Sequence, residues 1–425
     1  MYRYEAAFGA ADCTSKAMKQ AIDDWFSLYY TASADKERDP CQRLACTVVE
    51  KLVRAVFGEY RLAGAGQLGI ALDNIKEKAM QLALVGGECY LKPCPETAGF
   101  SFATVSRKNV LIFARDSRGE PTDMGLTERC MEGSCYYTLL ERRYLDTQGR
   151  LTIENKLYRA KSAEQLGEKV PLKTLRRYEA LPEKAVLPGV AGLGLVRLRT
   201  PMLNCVDGSE EAVSVYAAAA GLIRAVDENE AQLRGEFRRG QSRVFVSADL
   251  LRDGSLEDHL FVGLDDDPEH VGVQIFSPQL RHESYLERKQ EYLRNIESLM
   301  GLQRGMLSDA NAEDRTATEI AASAGQFSLT VIQLQSMWAR AVAECFRLCT
   351  ELGRLYGVAV DGDYSIDWGN GILYDEDKLW QSYLQMVDKG LLKPEIALGW
   401  RFNLPAETQA QQAAVRAKLM PSAEA

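Results

Sequence analysis

The pattern of apolar and polar positions divides the chain into a helical start, a strand-rich middle and a second half of long helices. Apolar side chains recur at helical spacing within the first 60 residues and again over 68–85, where Gly86 and Gly87 end the pattern. From 88 to about 196, short runs rich in β-branched and aromatic residues alternate with turn signals such as Asp116-Ser117-Arg118-Gly119. This order predicts an antiparallel sheet rather than an alternating β–α–β series.

Three long helices and a short β region make up most of the second half. The periodicity predicts helices over 209–239, 278–300 and 316–355, with strands between the first two. The last helix begins at a capping box, Thr316-Ala317-Thr318-Glu319, and at about 1.5 Å per residue it would be about 60 Å long. We therefore predict an α+β protein whose elongated subunit packs laterally against copies of itself.

The helix predicted over 278–300 repeats its apolar residues every seven positions. One series is Tyr285, Tyr292 and Leu299, and the neighbouring series is Leu286, Leu293 and Met300. A seven-residue apolar repeat is typical of helices that pack side by side. We expect the first series to form packing contacts between subunits.

Composition narrows the class of protein. Of the 425 residues, 46% are hydrophobic and 26% charged, which is ordinary for a globular chain of two or three domains. The net charge of −9 argues against a generic nucleic-acid binder, because such proteins carry a basic excess. No apolar run reaches the roughly 18 residues of a membrane span, and the first residues lack the pattern of a secretory signal. We expect a protein that is made in the cytosol and makes no contact with a membrane.

Several motifs suggest chemistry that their surroundings do not support. The run Gly64-Ala65-Gly66-Gln67-Leu68-Gly69 matches the glycine pattern of dinucleotide sites, but we expect a helix before it, where that fold needs a strand. His259, His270 and His282 lack metal-ligand spacing, and we expect the ten cysteines to be small buried hydrophobes rather than zinc ligands. No Walker motif or nucleophile elbow occurs. We predict no enzyme activity, no metal and no cofactor.

A series of short segments stands in an order that matches one protein family. The most specific is Arg315-Thr316-Ala317-Thr318-Glu319-Ile320, which follows a long helix and a polar loop. The others are the segments at 56–59, 83–93, 137–143, 153–158, 226–228, 236–237, 243–246, 366–372 and 388–392. On these segments, across about 47–398, the chain resembles the portal proteins of tailed bacteriophages, of the type found in long-tailed phages and prophages of Gram-positive bacteria. One departure is Ser209-Glu210-Glu211, where relatives often have a Ser-Pro-Leu-Gly type of turn.

The resemblance implies a fold and assigns each segment to a part of the assembled ring. Portals are rings, usually of twelve copies, at one vertex of the capsid. Residues 1–207 and 316–360 would form the wing, 208–240 and 279–300 the stem helices around a channel, and 241–278 a small β clip. Residues 301–315 would form the tunnel loop, and 361–425 the crown and C-terminal tail.

The resemblance also implies which residues would meet DNA and partner proteins. In the tunnel loop these are Gln303, Arg304, Met306, Ser308 and Asn311, and on the stem they are Arg281, Lys289 and Arg294. In the clip, the residues that would contact the terminase and later the head–tail adaptor are Val244, Phe245, Val246, Phe261 and Ile275. The alternative, that the loop and stem residues are simply solvated, stays open.

The implied function is to package and eject double-stranded DNA through the ring, in contact with terminase, adaptor and the major capsid or scaffold protein. The protein would be a virion component at the portal vertex after assembly in the host cytoplasm. An acidic chain suits a conduit, because each phosphate that a lysine or arginine neutralises adds affinity and would hold the DNA. The alternative is another oligomeric helical structural or scaffold protein without a DNA channel.

Overall fold

A computed structural model describes residues 4–30, 41–97, 99–240, 243–247, 261–264, 274–276, 279–309, 317–360, 362–369, 376–402, 404–406 and 408–420. For 243–247, 261–264, 274–276, 317–324 and 376–379 it describes the backbone alone. Helices and antiparallel sheets both contribute, so the described chain is α+β, as the sequence predicts.

The first half places a layer of helices against antiparallel sheets. The helices are α1 (Glu5–Phe8), α2 (Lys16–Tyr29), α3 (Leu44–Phe57) and α4 (Gly66–Gly86). The strands are β1 (Arg61–Ala63), β2 (Glu88–Glu96), β3 (Gly99–Ser106), β4 (Val110–Arg115), β5 (Pro121–Glu132), β6 (Cys135–Leu145), β7 (Leu151–Ala160), β8 (Glu168–Val170), β9 (Lys184–Leu187) and β10 (Val196–Arg199). Among these described strands, β2 lies between β10 and β3, while β4 to β8 pair in sequence order and β9 also pairs with β7.

The second half has the predicted order of helix, β unit, helix, loop and long helix. Its elements are α5 (Ala220–Arg239), β11 (Arg243–Ser247), β12 (Phe261–Leu264), β13 (Gln274–Phe276), α6 (His282–Leu299), α7 (Ala317–Tyr356), β14 (Ser365–Asp367), α8 (Glu376–Asp388), α9 (Pro394–Arg401) and α10 (Gln409–Leu419). The predictions for α4, α6 and α7 are confirmed to within a few residues, and α7 is 40 residues long.

One hydrophobic core joins the two halves. Buried side chains of α2, α3 and α4 pack with buried side chains of α5, α6 and α7. Trp338 on α7 is fully buried, and its ring meets Phe57 at the end of α3 edge-on, with the ring centroids 5.5 Å apart. Across the described stretches of the chain, no helix combines the length and apolar character that crossing a bilayer requires.

The first stem helix is shorter than the sequence predicts. The periodicity indicates a start at 209, whereas α5 starts at Ala220. The preceding segment satisfies its polar groups outside a helix: the Val215 N–H donates to the Leu84 carbonyl over 2.9 Å, and Thr200 Oγ1 donates to the Val213 carbonyl over 2.7 Å. Gly87 is needed for this approach, because a Cβ there would lie 2.6 Å from the Ala212 carbonyl oxygen. Tertiary hydrogen bonds therefore override the helical pattern.

A buried ionic cluster fixes where that segment lies. Glu88 is fully buried at the start of β2, and its carboxylate is 3.0 Å from Arg107 Nε and 2.7 Å from Arg197 Nε. Arg107 also reaches Glu211 over 3.2 Å, and Arg115 reaches Glu211 over 2.6 Å. Burial alone would raise the pKa of Glu88, but Arg197 and Arg107 outweigh it and hold that pKa below its ordinary value.

A second buried carboxylate joins the two main sheets. Glu141 on β6 is 5% exposed and lies 2.8 Å from Lys92 Nζ on β2 and 2.5 Å from Arg143 Nε. Arg143 also donates to the carbonyls of Leu193 and Gly194, each over 3.0 Å. Burial raises the pKa of Glu141, yet Arg143 and Lys92 dominate and lower it to about 2.

Replacing Glu141 should therefore cost stability in a pH-dependent way. Since the folded-state pKa of about 2 lies below the ordinary 4.5, the contribution is present above about pH 4.5 and is lost as the pH falls through about 2. We expect Glu141→Gln to lower the unfolding free energy by about 3 kcal/mol at pH 7. Urea unfolding at pH 7 and pH 3 should show this difference shrinking at the lower pH. Glu132→Gln, an exposed position on the adjoining strand, is the control; an equal loss at both pH values would contradict the assignment.

Candidate functional site

The helices α5 and α6 form an antiparallel pair. The β unit, formed by β11, β12 and β13, connects the end of α5 to the start of α6. We call the described elements that pack around the common core the body. The half of the pair near the body is apolar: Ile223 and Val226 on α5 and Leu293 and Ile296 on α6 are all buried in this core. α5 ends at Arg239 and α6 begins at His282, so β11, β12 and β13 are inserted where the pair is farthest from that core. The apolar contact anchors the pair, and the far half needs other contacts.

The far half of the pair is held by polar side chains. Asn229 Nδ2 donates to the Tyr285 carbonyl over 3.0 Å, and Arg288 Nε donates to Asn229 Oδ1 over 3.2 Å. Farther out, Arg281 makes two hydrogen bonds of 3.0 Å to the carboxylate of Glu236. Gly240, which follows α5, packs against Leu280, because a Cβ at Gly240 would lie 2.1 Å from Leu280 Cδ2.

The pair is electrically balanced. With Arg281, the two helices carry eight basic and eight acidic side chains. The pairs at 3.0–3.9 Å are Arg281–Glu236, Lys289–Glu230, Arg234–Glu230, Arg239–Glu236 and Arg294–Glu291. Exposed pairs of this kind contribute little to stability. Their effect is to neutralise cations that would otherwise be available to a polyanion.

The three stem residues predicted to face DNA therefore all have acidic partners. Arg281 is 71% exposed and makes the bidentate contact with Glu236, which raises the pKa of Arg281 above its ordinary value. Lys289 is half-buried, and its ammonium is 3.5 Å from Glu230 Oε2 and 3.2 Å from Gln42 Oε1. Arg294 is 3.9 Å from Glu291. Their DNA-facing role stays a prediction.

The seven-residue series on α6 divides between the chain's own core and its surface. Leu293 and Met300 are buried within this chain, whereas Leu286 of the same series is 49% exposed. In the series expected between subunits, Leu299 is 54% exposed, while Tyr292 is half-buried against the core. Part of the repeat therefore packs within the chain, whereas Leu286 and Leu299 leave apolar surface exposed.

The residues of the predicted clip lie on three paired strands. β11 pairs in parallel with β12 and antiparallel with β13. Val244 is in register with both Phe261 on β12 and Ile275 on β13, and Phe245 and Val246 follow on β11. The predicted strands are confirmed, and the partner contacts of these five residues stay a prediction.

A buried carboxylate that sequence analysis missed fixes the start of the loop after α6. Glu297 is 1% exposed, and its Oε1 accepts hydrogen bonds from the backbone N–H groups of Gly305, Leu307 and Ser308 at 3.0, 2.6 and 2.9 Å. Its Oε2 accepts from Ser308 Oγ over 2.8 Å. One feature of the sequence could have predicted this role: Glu297 is a charged residue on the same face of α6 as the apolar residues Ile296 and Met300. Such a residue needs partners, and the loop supplies them.

The loop residues predicted to face DNA occupy different environments. Arg304 is exposed and Gln303 is half-buried. Met306 packs against the core, and Ser308 is 6% exposed with its hydroxyl turned inward to Glu297. Asn311 lies outside the described residues. Within this chain the Ser308 hydroxyl anchors the loop to Glu297, and the DNA-facing role of these loop residues stays a prediction.

The motifs set aside in the sequence have structural explanations where the structure describes them. A strand, β1, precedes the glycine motif, so the expected helix there is wrong; however, β1 pairs antiparallel with β14, which is not a dinucleotide fold. Gly64 is needed because a Cβ would lie 2.7 Å from the Asp363 carbonyl oxygen.

The cysteines and histidines show no metal site within the described chain. All ten cysteines are free, but the expectation that they are mainly buried is wrong, since only Cys89, Cys345 and Cys349 are buried. Across the described residues, no cluster of three or more cysteine, histidine or acidic side chains is arranged to hold a metal ion. His282 is exposed at the start of α6, and His259 and His270 lie outside the described residues.

Comparisons with known proteins identify no family for this chain. No family model matches the sequence, and no curated protein matches it. Among solved structures, the chain is similar to one described as the neck of a native GTA particle computed with C12 symmetry, at 15% identity over 88% of this chain and 93% of that chain, with a TM-score of 0.48. That TM-score is too low to establish a shared fold.

Replacing Glu297 should free the loop without unfolding the helix pair. The Glu297→Gln variant substitutes an amide for an acceptor of three backbone N–H groups, so we expect a loss of about 2–3 kcal/mol in stability. Hydrogen exchange should show faster exchange at the amides of Gly305, Leu307 and Ser308. Glu291→Gln, exposed on the same helix, is the control. Unchanged exchange at the three amides would show that the carboxylate does not hold the loop.

Proposed function

We propose that this chain is the subunit of a portal, a ring through which double-stranded DNA enters and leaves a tailed-phage capsid. The observation that carries the proposal is the polar, charge-balanced pair α5–α6, which holds a β unit at one end and a carboxylate-anchored loop at the other. The order of segments in the sequence supports the same family. The role is structural rather than enzymatic.

The charge balance of the pair supports a conduit rather than a DNA-binding surface. Affinity for a phosphate backbone rises with each lysine or arginine that neutralises a phosphate. On this pair the predicted DNA-facing cations Arg281 and Lys289 already contact Glu236 and Glu230. A surface of this kind tolerates a passing polyanion and holds it weakly.

Exposed apolar side chains on the long helices support assembly with further copies of the chain. Phe237 on α5 and Leu286 and Leu299 on α6 are 47–54% exposed, and on α7 Leu329 is 63% exposed. Helices whose apolar residues face outward as well as inward are typical of oligomers. A ring of such subunits, usually twelve in portals, would cover these residues.

The β unit is the natural contact for proteins outside the capsid. It is inserted at the end of the pair farthest from the core, so in a ring it would project on one side. Under this proposal it meets the terminase during packaging and the head–tail adaptor afterwards, while the body contacts the major capsid or scaffold protein. The subunit would then be a virion component at the portal vertex. The second candidate, a helical scaffold without a channel, is favoured only by the exposed apolar helices.

Electron microscopy of the purified protein separates these candidates. We expect class averages of a ring with a central hole wide enough for duplex DNA, because identical lateral contacts between subunits generate a ring when the rotation that relates neighbours closes. The double variant Leu286→Glu/Leu299→Glu should shift the protein towards monomers, whereas Glu283→Gln, at an exposed position on α6, should not. Filaments or solid assemblies would favour the scaffold, and compact monomers of the wild-type protein would overturn the portal.

Removing the acidic partners of the stem cations should make the ring retain DNA. In Glu230→Gln/Glu236→Gln, the side chains of Lys289 and Arg281 lose their carboxylates, so each subunit gains cations able to neutralise phosphates. We expect tighter binding of a short duplex by assembled rings and a steeper decline of affinity with salt. The matched control, Glu168→Gln/Glu344→Gln, removes two glutamates from exposed ion pairs outside the stem. Equal behaviour of the two double variants would contradict a DNA-facing stem.

A further inference from the structure

The seven-residue apolar repeats of the α5–α6 pair do not by themselves fix its axial position. Leu286, Leu293 and Met300 repeat every seven residues on α6, and Val226 and Leu233 are seven apart on α5. A shift of one helix by seven residues would bring each apolar residue to the place of the next in its series. Residues outside these repeats must therefore select one register.

Asn229 is the polar residue buried within the pair at this point. It is 1% exposed and is bonded to α6 through both ends of its amide: Nδ2 donates to the Tyr285 carbonyl, and Oδ1 accepts from Arg288 Nε. Arg288 is held in turn by Gln232 Oε1, which accepts from its terminal nitrogen over 2.8 Å. A shifted helix would leave the buried amide without these partners, which is costly.

A second residue ties the same layer to the body. Gln42, just before α3, donates its backbone N–H to Asp227 Oδ1 on α5 over 2.6 Å, and its side-chain Oε1 accepts from Lys289 Nζ on α6 over 3.2 Å. Gln42 therefore bonds both helices close to Asn229: Asp227 is two positions before Asn229, and Lys289 follows Arg288, which donates to Asn229. The register of the pair is thereby related to α3, which is packed in the core.

The backbone around Gln42 is strained. Of the non-glycine residues that the structure describes, Cys41 and Arg43 alone have positive φ, at 38° and 57°. L-residues rarely adopt this conformation, and it persists only where surrounding contacts enforce it. Here the two strained residues flank the one residue that bonds both helices.

We propose that Asn229, together with Gln42, is the register-determining element of the α5–α6 pair. It acts as a positioning residue: it fixes how far α5 lies along α6, and so how far the β unit stands from the body. A single buried asparagine between helices selects one alignment at a cost in stability. The inference concerns the helix pair itself and does not require the ring proposed above.

Distance measurement between spin labels tests the register. Labels at Arg238 and Ser298, both exposed and near opposite ends of the pair, report axial displacement. A genetically encoded keto amino acid would carry the nitroxide, so the ten native cysteines do not interfere. The labelled chain is diluted into unlabelled chain, so that distances within one subunit dominate. A shift by seven residues would change the axial separation by about 10 Å.

We expect one narrow distance distribution for the wild-type protein. Asn229→Leu should broaden this distribution or add a population displaced by about 5–10 Å, which corresponds to a shift by one helical turn or by one seven-residue repeat. The same variant should raise the urea concentration at the midpoint of unfolding. Asn229→Asp keeps an oxygen for Arg288 and should restore the single distance. Asn295→Leu, at an exposed position on α6, should leave the distance unchanged.

Arg288→Met provides a second test if Asn229→Leu does not fold. Arg288 is exposed, so its loss leaves the core intact while Asn229 Oδ1 loses its donor. Broadening in this variant, and in Gln42→Ala, supports the proposal. A single wild-type distance in Arg288→Met, and in Asn229→Leu where it folds, would overturn it.

Discussion

Glu88 is a carboxylate with no exposed surface, and the arrangement of the whole body follows from how its charge is compensated. A buried charge is costly unless cations and hydrogen bonds surround it. Arg107 and Arg197 come from the ends of different elements, and Arg107 extends the cluster to Glu211. The cluster thereby links β2, β10 and the segments that carry Arg107 and Glu211. The same cluster holds the segment that leads into α5, so the helix pair starts from a fixed place.

Two other buried carboxylates in the described chain also hold irregular backbone. Glu141 joins β2 and β6, and through Arg143 it also holds the carbonyls that precede β10. Glu297 gathers three backbone N–H groups of the loop after α6. The far half of the helix pair is held differently, by ion pairs and by the buried amide of Asn229. The proposed DNA conduit rests on this arrangement, in which buried carboxylates fix the body and the loop and polar contacts hold the far half of the pair.

Much of the fold could be predicted from the sequence because long helices and short strands leave periodic patterns. The bounds of α4, α6 and α7 and the three strands of the β unit followed from periodicity alone. The start of α5 did not, because Glu211 and Val215 find tertiary partners that a local pattern does not reveal. The inward hydrogen bond of Ser308 could not be predicted for the same reason, because the sequence does not show that the buried acceptor Glu297 lies beside it.

The sequence by itself determined the element order, the α+β class, the acidic balance and the family resemblance, since all of these depend on composition and on neighbours along the chain. The tertiary structure decided which charges are paired, because residues far apart in the sequence meet only after folding: Lys289 and Glu230 are 59 positions apart, and Glu88 and Arg197 are 109 positions apart. It also decided that part of the seven-residue repeat on α6 is buried within the chain while part is exposed, and that Asn229 lies between two helices. Periodicity shows which side chains share a face; only packing shows what that face meets.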